Sequence, residues 1–227
     1  MNRFILYGIL LLAYLALSKS LSPSEYGIKY INKKEDLAKL IPGQPVTAIL
    51  ADIHSTGFLI KTYYQKFKVV YGFQTYEEII VRTSRNFSEE LKPYIGMSVF
   101  RRYQETGEVS YNPLPPGSIF IGDSNFGNWE KKNNLNSKWK FFRVYRQLPI
   151  YLGWGTFSPS YQVFEMIQSH EELQTPFFGS NDEFGINGSV TQSTYSRFFE
   201  RQNPPEVDLE SFLKNYFNEN FIKREGL

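Results

Sequence analysis

The chain has 227 residues, of which 41% are hydrophobic and 21% are charged, with a net charge of +2. This composition is typical of one globular domain and excludes a disordered chain. The basic residues are interleaved with acidic ones, so nothing indicates a basic stripe for nucleic acid. Cysteine is absent, which excludes disulfides, thiolate metal sites, a cysteine nucleophile and a lipoprotein anchor.

The N-terminus predicts export. A short basic start precedes residues 4–17, an apolar run of 14 residues without a charge. Ala16 and Ser18 fit the small-x-small pattern of a cleavage site, so residues 1–18 are predicted to be a secretory signal. An uncleaved membrane anchor through residues 4–17, with Lys19 at the membrane edge, and an N-terminal core helix are the alternatives. With either a cleaved signal or an uncleaved anchor, the protein is periplasmic or extracytoplasmic, and a bacterial cell envelope is its simplest location.

Residues 19–31 are interpreted as a polar tether, and residues 32–227 as a single globular domain. That domain is predicted to begin with a short helix from Asn32, which stands in an approximate capping box. Strands are expected at 46–53 and 58–73, because both stretches are rich in β-forming residues and the second alternates apolar with polar side chains. The alternation in the second stretch predicts a half-buried antiparallel strand or a hairpin.

A helix is expected over residues 75–87, which begin with a threonine and a glutamate at capping-box spacing. Ser88 is expected to cap a second short helix. Residues 97–122 predict a three-stranded meander, whose last strand is the apolar run Ser-Ile-Phe-Ile. Residues 138–149 fit either a strand or a helix, and their aromatic content favours a strand.

The final third of the chain is predicted to be helical. Ser158 and Pro159 indicate a helix start, Ser189 begins another capping box, and Asp208 caps a last helix rich in phenylalanine. Strands that precede helices, without β-α-β alternation, predict the α+β class. The expected architecture is an antiparallel meander with hairpins in the N-terminal two-thirds and a helical C-terminal third.

The first candidate for chemistry is Gly122-Asp123-Ser124, at the end of an apolar run. This stretch resembles the first block of the SGNH/GDSL hydrolases, in which a strand leads into Gly-Asp-Ser and the serine attacks an ester. The resemblance implies that Ser124 is a nucleophile, which needs a base to take its proton and N–H groups to hold the oxyanion.

The rest of that family's pattern is absent. The family places its histidine in an Asp-x-x-His pair, whereas Ile167 stands three residues before His170. The Gly-Ile-Asn at 185–187 follows that histidine, which is the wrong order, and the family fold is a parallel α/β sandwich. The sequence therefore favours a turn in which the side chain of Asp123 or Ser124 forms a hydrogen bond with the nearby backbone. A serine hydrolase that uses Ser124 and His170 remains an alternative.

Metal and two-acid sites have little support in the sequence. His54 and His170 have no second histidine at ligand spacing, so neither a metal nor a cofactor is predicted. Residues 179–188 carry side-chain oxygens without EF-hand spacing, which makes a calcium loop an alternative to a glycine-rich connector. Loop carboxylates that could form the acid pair of a glycan hydrolase are Asp123, Glu130, Asp182 and Glu183.

All three tryptophans fall within residues 122–157, among Gly, Asn and Tyr. Exposed aromatic rings flanked by amides suit stacking on sugars or a hot spot for a protein. Arginine forks in the same region suit carboxylates. The predicted ligand-binding residues are Trp129, Trp154, Arg143, Arg146 and Asn125.

The sequence thus favours an exported envelope protein with a non-catalytic binding or assembly role. Its expected partner is a protein or a cell-wall glycan, and not a nucleic acid. The alternative is an envelope hydrolase, either a serine esterase acting through Ser124 or a carboxylate-based glycan hydrolase. A subunit of a larger assembly, with an exposed apolar face on the last helix, is a third possibility.

Overall fold

The computed structural model describes residues 3–21, 27–57, 61–72, 75–131 and 134–202. By its internal contacts the chain divides into Met1–Tyr195 and Ser196–Leu227. The described part of the second unit is one helix, and the helix predicted from Asp208 lies outside the described residues.

A six-stranded mixed sheet fills much of the N-terminal two-thirds, which confirms the α+β class. Its strands are β1 (Tyr30–Ile31), β2 (Val46–Thr56), β3 (Thr62–Tyr71), β4 (Thr75–Thr83), β5 (Ser98–Arg102) and β6 (Val109–Ser110). They lie in the order β1-β4-β3-β2-β5-β6, and every pairing is antiparallel except that of β1 with β4. A separate two-stranded sheet joins β7 (Gly127–Trp129) to β8 (Trp139–Phe141).

The helices are α1 (Arg3–Leu21), α2 (Glu35–Leu40), α3 (Arg85–Leu91), α4 (Leu148–Tyr151), α5 (Tyr161–Glu172), α6 (Ser189–Thr194) and α7 (Ser196–Gln202). Short 3-10 helices occupy Lys92–Tyr94 and Arg143–Tyr145. Among the residues that the structure describes, no helix has the length and apolar character needed to cross a membrane.

The strands predicted at 46–53 and 58–73 correspond to β2 and β3, which pair with each other, and the helix predicted over 75–87 is wrong. Residues of β4 pair with β3 along the whole strand, from Thr75 opposite Tyr71 to Thr83 opposite Tyr63. The β-branched residues near its end suit this pairing, which outweighs a local capping pattern. The helix that follows begins only after Ser84, whose Oγ accepts a hydrogen bond from the Phe87 N–H at 3.2 Å. Ser88, the expected cap, lies inside α3.

The meander predicted over 97–122 is right for its first two strands, β5 and β6, and wrong for the third. The run from Ser118 to Ile121 is a series of turns, in which the Phe120 N–H donates to the Gly117 carbonyl at 2.8 Å. Three prolines in residues 113–116 lack N–H donors, and a single bridge between Leu114 and Ser98 is the pairing that this described stretch makes with β5. The run is buried by packing instead, and Phe120 is fully buried in the main hydrophobic core.

The predictions for the later elements are partly confirmed. Only residues 139–141 of the stretch 138–149 form a strand, and a 3-10 helix and α4 follow. Helix α5 is present, but its cap is Ser160 and not Ser158. The Ser160 Oγ accepts a hydrogen bond from the Val163 N–H at 3.3 Å. The cap of α6 is Gly188, which leaves Ser189 as the first helical residue.

Candidate functional site

A cleft of about 780 Å³ is bounded by three segments that are distant in the sequence. One wall is the turn that joins β5 to β6, residues 103–110. The second is the run of turns at 118–124, and the third is the face of α5 with the residues just after it. Pro45, which precedes β2, closes one side.

The cleft is acidic and rich in hydrogen-bonding groups. Its carboxylates are Glu105, Glu108, Asp123, Glu171 and Glu172. Its amides are Gln104, Gln168 and Gln174. No lysine, arginine or histidine stands among the described residues that line it. The cleft is therefore suited to a ligand with hydrogen-bond donors or positive charge, and unsuited to an anion.

Glu171 is fixed by a network of donors behind the cleft wall. Its Oε2 accepts from Arg101 Nη2 at 2.9 Å and from Asn112 Nδ2 at 3.2 Å, and its Oε1 accepts from the Tyr103 hydroxyl at 2.9 Å. The Arg101 side chain is fully buried, and Nη2 also donates to the Ser110 hydroxyl at 2.8 Å. The network joins the end of α5 to strands β5 and β6.

Burial acts to raise the pKa of Glu171, but the Arg101 charge and the hydrogen bonds from Ser110, Tyr103 and Arg101 hold that pKa below its usual value. Burial also raises the pKa of Tyr103, which keeps its hydroxyl as a donor. A carboxylate with a lowered pKa and several donors is a poor proton acceptor near neutral pH. Glu171 is therefore suited to positioning the cleft wall rather than to acid–base chemistry.

Asp123 and Ser124 form the predicted turn. The Asp123 Oδ1 accepts a hydrogen bond from the Asn125 N–H at 2.8 Å, and its carbonyl accepts from the Phe126 N–H at 2.9 Å. Ser124 is exposed and lines the cleft. His170 does not line it, because its ring stacks on Phe177 and its Nδ1 lies 2.9 Å from the Thr175 Oγ1. The structure does not bring the candidate nucleophile and base together.

The glycine of the Gly-Asp-Ser stretch is explained by packing. Gly122 has a φ of +84°, which disfavours any residue with a side chain. A Cβ at this position would lie 2.4 Å from the ring of Phe164 on α5. The turn therefore approaches α5 closely because the residue is glycine, which accounts for the motif without an oxyanion site.

The predicted aromatic platform is not assembled. Trp154 is only 3% exposed, and its Nε1 donates to the Pro116 carbonyl at 2.7 Å, so its assignment as a surface ligand residue is wrong. Trp129 is half-buried, with its ring 5.0 Å from that of Trp139 and 5.1 Å from that of Tyr161. The rings of Trp129 and Trp154 contribute to the hydrophobic core, since burial of large apolar side chains stabilises the fold.

The other predicted ligand residues lie outside the cleft. Asn125, Arg143 and Arg146 are exposed, but none of them lines it. Of the four loop carboxylates considered as an acid pair, only Asp123 lines the cleft. Glu130 pairs with Lys140 at 2.7 Å.

The calcium-loop alternative gains no support. The Glu183 carboxylate accepts hydrogen bonds from the N–H and the side-chain amide of Asn181. Within the described part of the chain, no group of three or more His, Asp or Glu side chains could hold a metal ion.

Sequence reasoning missed most of the cleft. On α5, Gln168, Glu171 and Glu172 stand three and four residues apart, and this spacing alone could have indicated a polar helix face. Glu105 and Glu108 belong to a turn and carry no such signal. Their position beside α5 depends on the pairing of β5 with β6 and on the Arg101–Glu171 ion pair.

Comparison with known proteins gives no match: no protein family, no curated protein sequence and no solved structure is significantly similar to this chain. The function is therefore argued from the geometry and chemistry of the cleft.

Proposed function

We propose that this chain is a non-catalytic binding protein of the cell envelope, and that its cleft holds a hydroxyl-rich ligand with positive charge. A cell-wall glycan with free amino groups has this chemistry. The observation that carries the proposal is the lining of the cleft, with five carboxylates and no basic side chain among its described residues. The charge of Glu171 is balanced by Arg101, so four carboxylates remain to attract cations.

The size and lining of the cleft also suit an oligosaccharide. A volume of about 780 Å³ lies within the usual range of ligand sites, roughly 300–1,000 Å³. The amides and hydroxyls of the lining match sugar hydroxyls, and the half-buried ring of Phe164 offers an apolar surface to a sugar ring.

Ser118 supplies a further argument for a ligand. This residue is 8% exposed and lines the cleft, and its Oγ has no hydrogen-bond partner among the described residues. A buried hydroxyl without a partner costs roughly 1–3 kcal/mol, which a donor or acceptor on a ligand would offset.

Binding is favoured over hydrolysis because, among the described residues, no histidine lines the cleft beside Ser124, and because two of the five acids are held by other groups. Glu171 is committed to Arg101, Tyr103 and Asn112, and Asp123 is committed to its own turn. The envelope part of the proposal rests on the apolar run at residues 4–17 and on the absence of cysteine.

The test is calorimetric titration of the full chain with a glucosamine tetramer and with its N-acetylated form, which lacks the positive charges. We expect the glucosamine tetramer to bind more tightly. Glu105→Gln with Glu108→Gln should weaken its binding about tenfold, because two attractive charges are lost. Glu77→Gln with Glu89→Gln is the matched control, since both glutamates are exposed and neither lines the cleft.

Equal affinity for the two tetramers, or an equal effect of the two double variants, would contradict the proposal. Mass spectrometry of the ligand after incubation tests the hydrolase alternative. An intact tetramer agrees with a binding protein, and released fragments would favour a glycan hydrolase.

A further inference from the structure

One segment of the chain has a charge opposite to that of the cleft. Between Glu130 and Glu165 the sequence contains four lysines and two arginines and no acidic residue. Among the described lysines of this segment, Lys140 forms an ion pair, and its partner is Glu130 at the edge of the segment. The charge of the chain is therefore divided between an acidic cleft and a basic segment, although the net charge is only +2.

Within this segment, residues 142–150 are held to the protein by side chains three residues apart. Tyr145 packs on Phe126 with ring centroids 4.8 Å apart, Leu148 is fully buried, and Tyr151 packs on Tyr76 at 5.3 Å. This period of three matches the 3-10 helix at Arg143–Tyr145 and the short α4. Between the anchors, Arg146 and Ile150 are exposed.

The exposed side chains of residues 142–150 form what we call the 142–150 surface: Phe142, Arg143, Val144, Arg146 and Ile150. The three apolar members are 41%, 61% and 67% exposed in chain order, and both arginines are exposed. Neither guanidinium has an ion-pair partner among the described residues.

We infer that the 142–150 surface docks on an anionic lipid surface. Exposed apolar side chains next to arginines suit the headgroup boundary, where the apolar groups enter the acyl region and the guanidinium groups meet phosphates. A nucleic acid would use the arginines but leave the three apolar side chains in water. The carboxylates of the cleft are repelled by the same anionic surface, so electrostatics favours contact through the 142–150 surface.

The absence of cysteine provides a site-specific test in the full chain. Val144→Cys is labelled with a polarity-sensitive fluorophore and mixed with vesicles of phosphatidylcholine containing one quarter phosphatidylglycerol. The matched control is Asn187→Cys with the same label, because Asn187 is exposed and lies outside the basic segment. A label at one position reports local insertion even if residues 4–17 also attach the chain to the vesicle.

We expect blue-shifted, brighter emission from the label at 144 and no change at 187. The shift should be absent with pure phosphatidylcholine vesicles. Arg143→Gln with Arg146→Gln should lower the ratio of inserted to water-exposed label about 30-fold, because two cations near the anionic surface are lost.

Phe142→Ser with Ile150→Ser should also reduce the insertion. A polyanion would contact only the arginines, so this double variant distinguishes binding to a lipid surface from binding to a polyanion. Circular dichroism of each variant checks that the fold is retained. The inference is overturned if the label at 144 behaves like the label at 187 on anionic vesicles. It is also overturned if the two serine substitutions leave the signal unchanged while DNA produces the same signal, since the surface would then bind polyanions without apolar insertion.

Discussion

Replacing Glu171 by glutamine should destabilise the protein through Arg101. Glutamine keeps the shape of the side chain and one acceptor oxygen, so the main loss is the negative charge beside a guanidinium that is fully buried. The Arg101 Nε has no hydrogen-bond partner among the described residues, and the remaining partners of the guanidinium, the Ser98 carbonyl and the Ser110 hydroxyl, are uncharged. Removing one partner of a buried ion pair costs roughly 3–5 kcal/mol. Because the Glu171 side chain is 20% exposed, we expect the lower end, about 3 kcal/mol.

The effect has a defined pH dependence. The pKa of Glu171 is lowered from 4.5 in the folded state, so its contribution to stability is fully present above the unfolded pKa and is lost as pH falls through the folded pKa. The difference between wild type and Glu171→Gln should therefore be constant from neutral pH down to about pH 5, and should shrink as the pH falls below 4.5.

Urea denaturation at a series of pH values measures this difference directly. Glu172→Gln is the matched control, because Glu172 is the next residue of the same helix and is exposed. Its substitution should change the free energy of unfolding by no more than about 0.5 kcal/mol. A loss below about 1 kcal/mol for Glu171→Gln, or a difference that persists unchanged into acid, would refute the reasoning about the buried pair.

Two further pairs of substitutions test local structure by the same denaturation assay. Gly122→Ala should cost about 2 kcal/mol, because it adds a Cβ 2.4 Å from Phe164 at a positive φ. Gly155→Ala is also at positive φ, but its Cβ would lie at ordinary van der Waals distances, 3.9 Å from Val190 and 4.0 Å from Ser193. It should cost only about 1 kcal/mol, and equal losses would contradict the packing argument. Ser160→Ala should cost about 1 kcal/mol through loss of the α5 cap, whereas Ser158→Ala should have little effect; a reversed order would show that the helix begins earlier.

The sequence predicted the structure well where the interacting residues lie close together in the chain. Alternation predicted the strand β3, in which Phe67 and Val69 are buried while the alternating Lys66 and Lys68 are only half-buried. The pattern failed for β4 because the threonine–glutamate spacing of a capping box does not exclude a strand. Pairing along nine residues with β3 decides the conformation there.

The cleft could not have been predicted in the same way. Its walls come from residues 103–110, 118–124 and 164–174, and only the tertiary fold brings these segments together. The Gly-Asp-Ser stretch was correctly interpreted as a turn, but its role became evident only from the contact between Gly122 and Phe164. The glycines around Trp154 indicated a flexible loop, whereas the side chain of Trp154 is buried in the hydrophobic core.

The most direct test of the proposed function is a map of backbone amide chemical shifts in the ¹⁵N-labelled full chain as glucosamine tetramer is added. The cleft predicts that the shift changes concentrate in residues 103–110, 118–124 and 164–174. They should be much smaller with the N-acetylated tetramer. Changes centred instead on Trp129, Arg143 and Arg146, or no changes at all, would contradict the assignment of the cleft as the binding site.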